Sequence, residues 1–151
     1  MTGLPRKWSL PMDKALNYLA LARKAGLAEL GEEPVGAAAR AQKARLVLVA
    51  SDASDHTWRR AKSFVAGTEQ ICLRVPFTKD EMGYAIGRTA LAIAAITDAA
   101  LALALVKALD QPEKYKAELE SLAKRSERIR QRQKESKAHK NNVRFNKKKK
   151  V

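Results

Sequence analysis

The chain has 151 residues, 46% of them hydrophobic, and carries 30 Lys and Arg against 16 Asp and Glu for a formal net charge of +14. That length supports one compact domain with a real core plus appendages, and the surplus of cations points to polyanionic partners, nucleic acid first and an anionic membrane surface second. The single Cys72 excludes an intrachain disulfide and no cysteine–histidine cluster has zinc spacing, so a reducing, cytoplasmic setting without a structural metal is expected.

Residues 1–11 read as an N-terminal arm. Arg6 and Lys7 are followed by Pro11, Asp13 and Lys14 rather than by the apolar core of a signal peptide, so export is not expected. A domain over residues 12–110 follows. MDKALNYLALARKAG sets Ala15, Leu16, Leu19, Ala22 and Ala25 at helical spacing, with Gly26 as the stop. After LAEL, Gly31 breaks the chain and a second helix starts, GEEPVGAAARAQ. Pro34 suits a first turn that has no use for its missing N–H, and Glu32 and Glu33 complement the dipole. RLVLVA at 45–50 is a continuous apolar run of the kind buried strands show.

In SDASDHTWRRAKSFVAG, Asp52, Ser54 or Asp55 caps a third helix that ends near Gly67, and QICLRV at 70–75 is a second strand. PFTKDEMGYAIG holds a capping box, Thr78 with Glu81, and Gly87 as its stop. LAIAAIT is a third strong strand, and Asp98 caps AALALALVKALD, which Pro112 terminates. Leu91 to Leu109 is the most membrane-like run, but Asp98, Lys107 and its many alanines argue against a span. The alternation of strands and helices predicts a sheet covered by helices on both faces.

Residues 1–110 carry 15 Lys and Arg against 11 Asp and Glu, whereas residues 111–151 carry 15 against 5, so the basicity belongs mainly to the C-terminal extension. Tyr115, Leu119, Leu122 and Ile129 form a sparse apolar stripe, with Glu120 four residues before Lys124; this predicts a solvent-exposed helix to about residue 137. AHKNNVRFNKKKKV has too few apolar residues to offset its ordering entropy and is expected to be disordered until it binds. Lys124, Arg125, Arg128, Arg130 and Arg132, with Lys147, Lys148, Lys149 and Lys150, are candidate phosphate contacts.

No catalytic constellation stands out. G-x-x-x-x-G-K-[ST], G-x-G-x-x-G and H-E-x-x-H are absent, and His56 and His139 have no evident partner. Glu32 and Glu33 diverge by about 100° as neighbours on a helix, which suits a dipole role better than acid/base work. ASDASDH offers a metal or anion loop or, more simply, a strand exit and helix cap. TWRRAK sets Trp58 beside Arg59, Arg60 and Lys62. Either Trp58 stacks on a nucleobase, or it faces the sheet while the cations are solvated, the simpler reading. Cys72, between Ile71 and Leu73, reads as a small core residue. No cofactor and no metal is expected.

The segments ALNYLALARKAGLAELGEEPVGAAARAQKARLVLVASDAS, VPFTKDEMGYAIGR and LAIAAITD resemble the ribosomal protein L7Ae/L30e/S12e/Gadd45 family, especially its small bacterial L7Ae-like members. The likeness covers about residues 13–109 and not the tail. It implies an α/β/α sandwich around a mixed four-stranded sheet, and RNA binding, commonly to kink-turns, at the N-terminus of the second helix. There the family carries G-x-N-E-x-x-K; a loop before the last strand adds a second contact region. In this sequence the motif's Gly is Gly31, its Asn position Glu33, its Glu position Pro34 and its Lys position Ala37, so the glycine alone is kept. The preceding strand, Lys-rich in archaeal members, is Leu27, Ala28, Glu29 and Leu30. The implied RNA-binding set is Gly31, Glu32, Glu33, Pro34, Ala37 and Arg40 with Arg88, Thr89, Ala90 and Leu91 of the loop, supplemented by the tail cations.

The expectation is therefore a monomeric cytoplasmic RNA-binding protein, not an enzyme, that acts on ribosomal RNA or another structured RNA, on or off the ribosome. Its rival is a protein-interaction module that keeps the fold and uses Leu27, Leu30, Pro34 and Ala37 as an apolar patch. RNA methyltransferases whose N-terminal domains share the fold need a catalytic domain, for which the roughly 40 charged residues past 110 are too few.

Overall fold

The computed structural model describes residues 13–109 and 114–149, with side chains described as far as residue 138. The N-terminal arm, Pro112 and Lys150 lie outside the described residues. In chain order the elements are α1 (Lys14–Lys24), β1 (Ala28–Leu30), α2 (Glu32–Arg40), β2 (Leu46–Val49), α3 (Asp55–Val65), β3 (Ile71–Arg74), α4 (Lys79–Ala85), β4 (Ile93–Ile96), α5 (Ala99–Ala108) and α6 (Lys116–Lys149).

Local chemistry fixes most helix starts. Asp13 accepts the Ala15 N–H at 2.8 Å, Asp98 accepts the Leu101 N–H at 2.9 Å, and the Thr78–Glu81 capping box closes in both directions. Of the three candidate caps for α3, Ser54 serves, through the Thr57 N–H at 3.1 Å. Asp52 instead accepts the Lys79 N–H at 2.8 Å and ties the exit of β2 to the start of α4. ASDASDH is thus a strand exit and cap, and among the described residues no group of three His, Cys, Asp or Glu is placed to hold a metal. Ala25, expected on the buried stripe of α1, is exposed, because Gly26 at φ +74° turns the chain away there.

The sheet order is β1-β4-β2-β3, with β4 antiparallel to β1 and β2, and β2 parallel to β3. β2 and β4 are central and buried at every residue, as uninterrupted apolar runs should be. Helices α2 and α3 pack together on one face and α1 and α5 on the other, the expected α/β/α sandwich around a mixed four-stranded sheet. The run from Leu91 to Leu109 divides into β4 and α5 at Asp98, and among the described residues no helix is long and apolar enough to cross a membrane.

α6 departs from expectation twice. It is docked on α5, not solvent-exposed along its length: Tyr115 and Leu122 are buried, and Arg125 is buried in an ion pair with Glu69 at 3.3 Å. Tyr115, Leu119, Leu122 and Ser126 recur at three- and four-residue steps, so one narrow face is enough to seat the helix. The helix also continues to Lys149, through the segment expected to be disordered. No Gly or Pro interrupts the sequence after Pro112, and helical hydrogen bonds need only local partners.

Cys72 lies in β3 and is partly buried. Burial pushes its thiol up from 9.0 to about 12, against the opposing pull of the Lys62 and Arg74 charges. The folded state therefore keeps a proton that the unfolded chain releases above pH 9. This contribution to stability is complete below that pH and is lost as pH rises toward 12. Alkylation of Cys72 by iodoacetamide at pH 8 is expected to be at least about tenfold slower in the folded than in the urea-unfolded protein. Equal rates would show that the thiol is not shielded.

Candidate functional site

The β1–β4 register aligns Leu30 with Ala94, and the Gly31 N–H donates to the Ile93 carbonyl at 3.0 Å. The Ala50 N–H donates to Ala92 at 2.9 Å, which brings the exit of β2 to the same place. One end of the sheet thus gathers the N-termini of α2 and α3, and the loop at 87–91 that feeds β4. The N-terminus of α4 joins them through its Asp52 tie.

The α3 and α4 starts are closed by Ser54 and Thr78, and those of α1 and α5 by Asp13 and Asp98. At α2 the N-cap is Gly31, with φ 97° and ψ 162° and no side-chain hydrogen bond. A Cβ there would find room, its nearest neighbour being Pro34 Cδ at 3.8 Å, so the backbone conformation is what demands glycine. Val35 N–H is taken by Gly31 O at 3.1 Å and Pro34 has no N–H. The first-turn donors left to a ligand are those of Glu32 and Glu33, reinforced by the helix dipole.

The side chains around this end are mixed. Glu33, Pro34 and Ala37 are exposed, and Ala37 adds no cation. Glu32 forms an ion pair with Arg60 of α3, close but not aligned as a hydrogen bond. The Arg60 guanidinium also lies 5.5 Å from the centre of the Phe64 ring, which packs against Gly36. Arg60 thereby offsets a carboxylate that would otherwise repel an anion. The pairing joins residues far apart in sequence and leaves no local signal beyond the TWRRAK cluster. Arg40 sits at the other end of α2, about 12 Å along the axis from Glu32, and is not brought to Gly31.

In the loop, Arg88, Thr89 and Ala90 are exposed. Leu91, expected as a contact, is only 4% exposed; its N–H donates to Lys79 at 2.9 Å and its side chain enters the core. It is therefore the first inward residue on the way into β4 and is closed to a ligand. Gly83 of α4 underlies this loop. Its carbonyl accepts the Arg88 N–H at 2.8 Å, and a Cβ added there would stand 2.6 Å from Ala90 Cα.

On α6, Lys124, Arg128, Arg130 and Arg132 are exposed, with Arg130 3.6 Å from Glu127. Arg125, expected as a phosphate contact, spends its charge on Glu69 at 7% exposure. Lys147, Lys148 and Lys149 belong to the helix. Tyr115 shares a cleft with Ser51 and Pro76, past the C-terminal end of β3, whereas Arg125 meets Glu69, before its N-terminal end. The helix therefore runs along β3, and its cationic segment leaves the domain at the opposite end from Gly31.

Fold and site together define an α/β/α domain whose α2 N-terminus has no side-chain cap, with a long cationic arm. The chain belongs to the family of the RNA-binding protein YlxQ: it is 37% identical over 75 residues to YlxQ of Enterococcus faecium, covering 50% of this chain and 72% of that protein. No family model matches it. Among solved structures, a protein of unknown function from Bacillus halodurans superposes with a TM-score of 0.61 at 27% identity, covering 66% of this chain and 99% of that one. The 15.5 kD RNA-binding protein of Giardia lamblia shares the fold, with a TM-score of 0.54 at 17% identity over 74% of this chain and 98% of that one.

Proposed function

We propose that this chain is an RNA-binding protein of the L7Ae/L30e type, non-enzymatic and cytoplasmic, that acts on ribosomal RNA or another structured RNA. The uncapped N-terminus of α2 beside the Arg88 loop carries this reading, and the YlxQ relationship supports it. Phosphate oxygens accept the Glu32 and Glu33 N–H groups, Arg88 adds a charge-assisted contact, and Arg60 holds Glu32 aside. The exposed cations of α6 add salt-dependent, sequence-independent affinity from a second direction. The interaction-module alternative gains little: Leu27 and Leu30 pack against the core, and the large exposed apolar side chain among the described residues is Leu21, on α1.

Filter binding to a structured ribosomal RNA fragment tests the reading. Arg88→Ala is expected to weaken binding about fivefold, the loss of one charge-assisted contact, and Arg60→Ala about threefold by unmasking Glu32. Replacing tandem sheared G·A pairs by Watson–Crick pairs is expected to change affinity by no more than about threefold, since Glu33, Pro34 and Ala37 stand where discriminating side chains would be. Wild-type affinity in both arginine variants would sink the proposal.

A further inference from the structure

A second concave feature lies at the edge of β3, at the same end of the sheet as Gly31 but across β4 and β2 from it. It is an open cleft of about 470 Å³ between β3, Trp58 of α3 and the start of α6. That volume falls within the ~300–1,000 Å³ typical of ligand pockets. Tyr115 is 3% exposed and lines the cleft, yet among the described residues its buried hydroxyl has no hydrogen-bond partner. Arg74 lines it too, with buried Nε and Nη2 atoms that likewise lack a hydrogen-bond partner among the described residues. Two cations flank the Trp58 ring, Arg74 at 4.9 Å and Lys62 at 5.3 Å, and Lys114 Nζ lies 5.3 Å from the Tyr115 ring centre.

Buried polar groups without partners are uncommon in folded proteins because each has given up its water. Here the guanidinium can only donate and the hydroxyl can donate, so the complement is a ligand rich in acceptors. Among the described residues, Arg74 and Lys114 of the lining, with Lys62 beside Trp58, outweigh the one lining carboxylate, Glu118, so the complement is anionic. Guanidinium geometry matches phosphate oxygens, and the partly exposed Trp58 indole offers a surface to a flat ring alongside. We propose that this cleft is a ligand site for the phosphate group of a nucleotide, either free or as one unit of an RNA strand. The site is separate from the α2 end and does not depend on the reading given for it.

The full chain carrying Trp8→Phe leaves Trp58 as the one tryptophan and hence the fluorescent reporter. Inorganic phosphate, adenosine monophosphate and a short oligouridylate are the probes. At least one is expected to give a saturable change in emission. Arg74→Gln is expected to weaken that binding by about tenfold or more and Tyr115→Phe by about threefold, as lost charged and neutral hydrogen bonds respectively. Lys24→Gln, which removes one exposed cation of α1, outside the cleft, is expected to bind as the parent does and so separates a site from general electrostatics. Saturation by the mononucleotide identifies a free ligand; saturation by the oligonucleotide alone identifies an RNA unit. If Arg74→Gln melts at lower temperature than its parent, Tyr115→Phe, which keeps the packed ring, decides. The proposal is overturned if no probe saturates by about 10 mM, a concentration at which even a millimolar site is filled, or if both cleft variants bind as tightly as the parent. Arg88→Ala is expected to leave mononucleotide binding unchanged, so failure here and failure at the α2 end are read separately.

Discussion

Truncation after Ser126 is expected to weaken binding to structured RNA about 100-fold near 0.1 M salt and to flatten the slope of log affinity against log salt by about 4. The cut removes eleven Lys and Arg and two Glu. If about half of those cations meet phosphates, five contacts at ~0.7–0.9 each account for the change in slope. It spares the docked part of α6, including Tyr115, Leu122 and the Arg125–Glu69 pair. Filter binding across 50–300 mM KCl, with circular dichroism to confirm the fold, reads both quantities. Unchanged affinity and slope would show that the arm does not meet RNA. A cut at residue 111 would be the wrong experiment. Losing buried Tyr115 and Leu122 alone is worth several kcal/mol, at ~2–5 kcal/mol for each large side chain, so lost fold would be mistaken for lost charge.

That contrast marks what was legible in the sequence. The α4 and α5 starts are readable at Thr78 with Glu81 and at Asp98, and that of α3 to within Asp52, Ser54 or Asp55, because caps are decided within four residues. β2 and β4 announced themselves as unbroken apolar runs, the signature of strands buried on both faces. α6 did not, since a sparse stripe of Tyr115, Leu119 and Leu122 serves equally for a free helix and for one seated on α5. Arg125 shares that ambiguity: its position on the stripe predicts burial and its charge predicts solvent, and Glu69 on a distant turn settles the matter. Family correspondence places Leu91 in the contact loop, whereas the inward register of β4 already begins there. Trp58 lies against the β3 edge, but its neighbours are not simply solvated. Arg60 pairs with Glu32, and Lys62 lies beside the indole.

Gly83→Ala is expected to destabilise the domain by about 1–3 kcal/mol and to weaken RNA binding at the α2 end as strongly as loss of Arg88 does. The added Cβ would meet Ala90 Cα at 2.6 Å, its N at 2.7 Å and its C at 2.9 Å, all backbone atoms with no side-chain rotation to relieve the clash. α4 cannot yield easily, because the Thr78–Glu81 box and the Asp52 tie hold its start and Met82 is buried in the core. The loop is held as well, by Arg88 N–H to Gly83 and Leu91 N–H to Lys79, so relief requires breaking one of those bonds and lifting Arg88 away from Gly31. Gly67→Ala is the control: its φ of +74° is strained for alanine but nothing lies within 4 Å, so it costs about 1 kcal/mol of backbone strain and leaves RNA affinity unchanged. Denaturant midpoints and filter binding on the folded variants separate the two effects, and a Gly83→Ala protein with wild-type midpoint and affinity would show that this contact does not position the loop. Because the loop and the arm leave the sheet at opposite ends, Gly83→Ala combined with truncation after Ser126 should show nearly additive losses in binding free energy. Strong non-additivity would mean that the arm folds back over the loop and that RNA meets one continuous surface rather than two.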